Sequence, residues 1–190
     1  MPDARGAILK AAVPLFARKG YAGTSTREIC AAAGMTKPVL YYYFRDKQHL
    51  YQEIMIDTFT HNRKVLLRAS KSRGRIRDRL VRILHEDFRS AKEDSLRVQF
   101  LLRMIFAPEE ESPEYNYVKE FEQERDVIAA VFEEGIRARE VRGNPRQLAS
   151  ALMGMELFAI LENLFTARPT LTRKNAALLV DILLEGCKAH

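Results

Sequence analysis

The sequence predicts an all-α chain of about nine helices. Two observations carry that expectation, and a third divides the chain. Glycine and proline punctuate the sequence into helix-sized blocks in which apolar residues recur three and four apart. Alternating β-branched runs, the mark of half-buried strands, are scarce. The third observation is charge: residues 1–82 hold 17 Lys/Arg against 6 Asp/Glu, whereas residues 83–190 hold 14 against 19. A basic first part on a mildly acidic remainder predicts a polyanion-facing end and a body with another task.

The first helix reads from Asp3 to Lys19, with Ile8, Ala11, Ala12, Leu15 and Phe16 at helical spacing and Gly20 placed to end it. Pro14 lies inside it, removing a donor and crowding the carbonyl of Lys10, so a kink or a looser first half is expected. Ser25-Thr26-Arg27-Glu28 fits a capping box, opening a helix that stops at Gly34. Thr36 is placed to cap a short third helix, Lys37 to Phe44, whose first turn tolerates Pro38. Met35 and Leu40 are spaced as a hydrophobic staple. Asp46 caps a long fourth helix reaching about Ser70. Further helices are expected at Arg75–Lys92, Ser95–Phe106, Glu114–Glu140, Pro145–Thr166 and Thr172–Ala189. Between the sixth and seventh, the acidic, proline-bounded APEEESP reads as a mobile loop.

Several function classes fall away early. The chain is 47% hydrophobic and 29% charged over 190 residues, enough to bury a real core. No run of 18 apolar residues stands out, so a membrane span is not expected. The start, MPDARGAILKAAV, lacks a signal-peptide apolar run, which predicts a cytoplasmic protein. Cys30 and Cys187 have neither metal nor redox spacing and read as small buried apolar residues. The four histidines, His49, His61, His85 and His190, form no HExxH and no Glu-x-x-His pair; His85-Glu86-Asp87 are consecutive and splay around their helix. No phosphate-cradling glycine loop and no GxSxG elbow occurs. The expectation is therefore no enzyme, no cofactor and no metal.

GMTKPVLYYYFRDK, residues 34–47, sets three consecutive tyrosines on one short helix. Successive helical residues point about 100° apart, so Tyr41, Tyr42 and Tyr43 cannot all face one core. Two short helices joined by Ala33-Gly34-Met35-Thr36, braced by the first helix, describe a helix-turn-helix, whose second helix enters the major groove of DNA. Its leading residues are Thr36, Lys37, Pro38 and Val39. Lys37 can donate to guanine or phosphate; Pro38 and Val39 offer apolar contact, for instance to a thymine methyl. Leu40 and Phe44 should face inward. Tyr41 and Tyr42 should lie outside, within reach of phosphate, sugar or base, with Tyr43 at the edge of the unit. Lys47 opens the fourth helix where phosphate is favoured, and Thr26 and Arg27 open the second in the same manner.

The segment ILKAAVPLFARKGYAGTSTREICAAAGMTKPVLYYYFRDKQHLY resembles the N-terminal domain of the tetracycline-repressor (TetR) family of bacterial transcription regulators. LFARKGY, TSTREI, AAAGMTKPVLYYYF and DKQHLY carry the resemblance over residues 5–51; Pro14 departs from the family pattern. The resemblance implies that Thr26, Tyr41, Tyr43 and Lys47 contact phosphates, while Arg27, Lys37, Pro38, Val39 and Tyr42 approach bases. It divides the chain into a DNA-binding domain, 1–47, and a helical ligand-binding and dimerisation domain, 48–190.

In the larger part, LASALMGMELFAILENLF is apolar nearly all round, so burial on every side is expected, with a second chain as the natural cover. With the last helix and its mate it would complete a four-helix bundle across a two-fold axis, as TetR-like proteins do. The family resemblance further implies an inducer pocket among the fourth to eighth helices. Phe88, Phe100, Met104 and Phe121 would supply apolar walls, with His61, His85, Arg103, Tyr117 and Glu156 as polar members; on spacing alone, such aromatics and methionines are more often ordinary core than a ligand pocket. The expected activity is a ligand-responsive repressor that binds a palindromic operator as a homodimer and is released by a small hydrophobic effector. The alternative is a constitutive DNA-binding architectural or cell-cycle protein of the same fold, with a protein partner and no small ligand.

Overall fold

The computed structural model describes residues 3–108, 113–166 and 168–186. Among the described residues there are nine helices and no strand: α1 (Ala4–Lys19), α2 (Thr26–Ala33), α3 (Lys37–Tyr43), α4 (Lys47–Ser70), α5 (Ile76–Glu93), α6 (Ser95–Ile105), α7 (Tyr117–Arg137), α8 (Pro145–Phe165) and α9 (Arg173–Glu185). The all-α expectation holds, with most boundaries within two residues. The largest differences are α9, which ends at Glu185 rather than Ala189, and α7, which runs Tyr117–Arg137 rather than Glu114–Glu140. Cys187, His190 and most of the APEEESP loop lie outside the described residues.

Contacts group the chain into two units, Met1–Thr60 with Asp94–Tyr117, and His61–Glu93 with Val118–His190. In the first unit α1 packs on α2, α3 and α6. Its interior is Ile8, Phe16, Ile29, Leu40, Phe44, Leu50, Ile54 and Phe100, each at most 1% exposed. α1 runs unbroken through Pro14, so the proline lost one internal bond without ending the helix. Phe16, Tyr51 and Phe100 meet as edge-on or tilted rings with centroids 5.0–6.2 Å apart.

In the second unit α5 packs on α8 and α9. Leu80, Leu84, Phe88, Phe132, Leu152, Ala176 and Val180 form its core. Gly135 lets α7 approach α5 closely, because a Cβ there would lie 2.2 Å from Ile76 Cδ1. Arg77 on α5 grips Asp181 on α9 with Nε and Nη2 at 2.6 and 2.7 Å, and this hydrogen-bonded pairing holds the Asp181 carboxyl below its usual range.

α8 departs from the sequence expectation in two ways. Within one chain it is not buried on every side: Ala149, Leu152 and Ala159 are buried, but Leu157, Phe158 and Phe165 stand exposed. It is also the one described helix long and apolar enough, by length and composition, to cross a membrane, with a mean hydropathy of 1.5 over 18 residues. That corrects the expectation that no such segment exists. Glu156 and Glu162 interrupt the apolar letters without bringing the average below what a span requires.

Candidate nucleic-acid interface

Local sequence builds the α2–α3 pair bond by bond. Ser25, in extended backbone, accepts from the Glu28 amide at 3.2 Å, while the Glu28 carboxylate accepts from the Ser25 amide at 2.9 Å and hydroxyl at 2.8 Å. This is the reciprocal cap the sequence predicts. Lys19 at the end of α1 ion-pairs with the same carboxylate. Hydrogen bonding from Lys19 and Ser25 lowers the Glu28 pKa to about 2. α2 ends at Gly34, whose φ of 65° and ψ of 31° are left-handed; the amide of Met35 then donates back to Cys30 O at 2.9 Å. Cys30 is buried and free, as expected.

Thr36 stands at the N-cap of α3 in extended backbone, but its side chain accepts no bond from the helix. The expectation of a side-chain cap fails here. The second residue of α3 is Pro38, which has no N–H to give, so one of the two usual donors is missing. The Thr36 hydroxyl is thereby left on the outside, beside exposed Lys37 and Pro38 and half-buried Val39.

Leu40 and Phe44, both fully buried, fix which way α3 faces. All three tyrosines then project outward, at 48% exposure for Tyr41, 82% for Tyr42 and 37% for Tyr43. The rings of Tyr42 and Tyr43 meet edge to face at 4.9 Å, so each limits the other's rotamers without removing it from solvent. Thr26 is half-buried in the first turn of α2, and Arg27 is exposed beside it.

Asp46 caps α4 by accepting from the His49 amide at 2.7 Å, and the Arg45 amide donates to Nδ1 of His49 at 3.2 Å. The bond from the His49 amide, and next the one from Arg45 Nε to the same carboxylate at 3.1 Å, hold the Asp46 carboxyl below its usual value. Lys47 has a task that the sequence did not reveal. Its ammonium donates to the carbonyls of Tyr21 (2.9 Å) and Thr24 (3.0 Å) and lies 4.0 Å from the centre of the Tyr21 ring. It latches the α1–α2 loop to the start of α4, and partial burial lowers its pKa.

The nine residues expected to line a ligand pocket fall in two units. Phe100, Arg103 and Met104 belong to the first, around a cavity of about 30 Å³ shared with Phe16 and Tyr51, room for little more than a water. Arg103 donates to Arg18 O at 3.0 Å. His61, His85, Phe88, Phe121 and Glu156 belong to the second, and Tyr117 opens α7 at the end of the first. His61 is exposed with Nε2 3.4 Å from the Ser90 hydroxyl, His85 and Phe121 are half-buried, and Phe88 is core.

Sequence reasoning passed over Glu124 and gave Asp87 no role; both, like Glu156, are half-buried in the second unit, and burial raises the pKa of each. The available signal was position: Asp87 shares a stripe with Leu84, Phe88 and Ala91, and Glu124 shares one with Val127, Ile128 and Val131. Among the described residues, no three His, Cys, Asp or Glu side chains are arranged to hold a metal ion.

Residues 8–54 match the family model of bacterial regulatory proteins of the tetR family. Over 52 residues the chain is 42% identical to the HTH-type transcriptional regulator AcrR of Shigella flexneri, covering 27% of this chain and 24% of that one. Over 104 residues it is 30% identical to IcaR of Staphylococcus aureus, the HTH-type negative transcriptional regulator of the biofilm operon icaADBC, covering 54% of each. The matched region thus spans about a quarter and about half the length of these relatives. The solved structure of AibR in complex with isovaleryl coenzyme A and operator DNA superposes with a TM-score of 0.74 at 22% identity, covering 96% of this chain and 98% of that one. The helix-turn-helix built above and the matched segment agree: residues 8–54 match the DNA-binding domain of bacterial regulatory proteins of the tetR family, and the chain shares its fold with solved members.

Proposed function

We propose that this regulator is a ligand-responsive repressor that reads a palindromic operator as a homodimer and is released by a small hydrophobic effector. The observation that carries the DNA-binding part is the outer face of α3. There Thr36, Lys37, Pro38 and the three tyrosines project from a helix locked by buried Leu40 and Phe44. In this reading Arg27, Lys37, Pro38, Val39 and Tyr42 approach base edges, while Thr26, Tyr41, Tyr43 and Lys47 meet phosphates. Residues 1–47 do the reading, and 48–190 bind the effector and the second chain.

Exposed apolar residues on the last two helices support dimerisation. Phe158 and Phe165 on α8 are 68% and 80% exposed, and Leu178 and Ile182 on α9 are exposed as well. A two-fold pairing of α8 and α9 would cover them and set two copies of α3 one DNA turn apart, about 34–36 Å. IcaR is by name a negative regulator, and AibR has been captured with both an acyl coenzyme A and its operator, which supports an effector-linked repressor. An effector that shifts α4 would change the spacing of the reading heads; carrying such a switch from 1:99 to 99:1 requires about 5.5 kcal/mol of differential affinity.

The test is selection of genomic fragments on the purified protein at about 150 mM salt, where purely electrostatic binding is suppressed. An enriched palindrome is the expected result. Enrichment of no motif, with and without removal of co-purified small molecules, would overturn the reading.

A further inference from the structure

The stretch from Lys64 to Arg82, KVLLRASKSRGRIRDRLVR, holds eight Lys/Arg against one acid, and the DNA-reading face on α2, α3 and the start of α4 uses none of them. Some of this charge is spent inside the second unit. Arg77 grips Asp181, and Arg79 pairs with Glu134 while donating to Ser70 O at 3.0 Å. Lys71 and Arg73 are different: both are exposed, and neither has an acidic partner among the described residues.

Lys71 and Arg73 border an open groove of about 740 Å³ that lies within the second unit. One side is the end of α4 and the turn leading to α5; the other is α7. Val127, Ala130 and Val131 recur three and four apart, so they share one face of α7. Leu67 of α4 completes an aliphatic lining that includes no aromatic ring among the described residues. Two carboxylates also border the groove, but each already faces an arginine. Arg79 pairs with Glu134, and Arg146 of α8 lies 3.0 Å from Asp126. Lys71 and Arg73 therefore leave two positive charges uncancelled beside aliphatic surface. The same wall holds two polar atoms, Ser72 Oγ and Arg79 Nε, that are buried without a hydrogen-bond partner. Such atoms are uncommon in folded proteins, and here they leave hydrogen-bonding capacity unspent.

The volume falls in the range of small-molecule sites, about 300–1,000 Å³. An aliphatic lining without a ring to stack on suits a hydrocarbon body rather than a nucleobase. A phosphate monoester carries about −1.5 to −2 charge near neutral pH, which matches the two free cations, and its oxygens fit the guanidinium fork.

We propose that the groove between the α4–α5 turn and α7 binds a small aliphatic phosphate monoester. Lys71 and Arg73 hold the phosphate, and the hydrocarbon lies along Leu67, Val127, Ala130 and Val131. None of the nine residues expected to line the effector pocket borders this groove, so the site goes beyond the proposed function and stands without it.

The test is calorimetric titration of the full chain, without DNA, with hexyl phosphate, inorganic phosphate and 1-hexanol. Hexyl phosphate should bind saturably, at least about tenfold tighter than either fragment. Lys71→Ala and Arg73→Ala should each weaken it about fivefold or more. Ala130→Glu sets a carboxylate on the floor of the groove at an exposed helical position and should abolish binding with the fold intact by circular dichroism. Lys64→Ala and Arg82→Ala, at exposed cations outside the groove, should leave binding unchanged. No saturable binding, or equal affinity for hexyl and inorganic phosphate, would overturn the proposal. Equal losses in the Lys64 and Arg82 variants would also overturn it, by showing a general positive field and no local site. Capture by vesicles of phosphatidylcholine and phosphatidic acid, without binding of free hexyl phosphate, would replace the small ligand with a lipid surface.

Discussion

Lys47→Ala separates two tasks that the sequence merged. By resemblance to its family, Lys47 reaches a DNA phosphate. In the folded chain its ammonium is already engaged by the carbonyls of Tyr21 and Thr24 at 2.9 and 3.0 Å, over the Tyr21 ring. Hydrogen bonds from a charged donor contribute about 1.5–3 kcal/mol each. The freed carbonyls lie at a half-buried loop and can be partly rehydrated, so the combined loss should be about 2–4 kcal/mol rather than the full sum. One proton of the ammonium is left over, enough for a single phosphate contact. The assay pairs urea unfolding of the free protein, followed by circular dichroism, with affinity for a non-specific duplex across a salt series. The variant should unfold at lower urea and lose about one phosphate contact, a salt slope flatter by roughly 0.9. Unchanged stability together with the flatter slope would refute the latch and make Lys47 a pure phosphate ligand.

Gly34→Ala should cost about 1–2 kcal/mol by urea unfolding. Its φ of 65° strains any side chain, although nothing lies within 4 Å of the added Cβ, so a loss well above that range would show an unrecognised contact. Glu124→Gln should flatten the pH dependence of stability. The folded pKa of Glu124 is raised by burial from 4.5 to about 7, so its contribution is present below pH 4.5 and is lost as pH rises through 7. At about 1.4 kcal/mol per tenfold change in acidity, the loss is on the order of 3 kcal/mol. Asp87 and Glu156, raised first by burial, act in the same direction; Glu86 is a charged neighbour of Asp87, and Arg63 and Glu120 are those of Glu124. A wild-type stability that rises from pH 5 to pH 8 would contradict this. Phe158→Glu should weaken self-association about a hundredfold or more by light scattering, since the two-fold axis counts the change twice; an unaltered dimer would place the interface elsewhere.

Much of the fold was legible in the sequence because its signals are local. The Ser25–Glu28 cap, the αL glycine at 34 and the Asp46 cap each need only three or four residues to act. The orientation of α3 followed from Leu40 and Phe44 lying four apart, which forces the tyrosines outward. The bond that Thr36 fails to make was also local, since Pro38 removes the donor. The Lys47 latch was not legible, because it joins residues more than twenty apart through main-chain oxygens that no side-chain pattern encodes. The half-buried acids were half-legible: Asp87 and Glu124 interrupt apolar stripes, but the linear sequence does not say how far neighbouring helices cover them. The exposed face of α8 was hidden for a simpler reason: composition reports that the helix is apolar, not which flank its own chain covers.

The central claim is that α3 reads base sequence through its outer face. The most direct measurement is the affinity of the wild type, Lys37→Ala and Tyr42→Ala for the selected operator and for a scrambled duplex, across a salt series. The account predicts a wild-type preference for the operator of about a thousandfold or more near physiological salt. It also predicts that both substitutions narrow that preference at least about fivefold, while the dimer and the scrambled-duplex affinity change little. Equal loss on both duplexes, or no preference in the wild type, would contradict it.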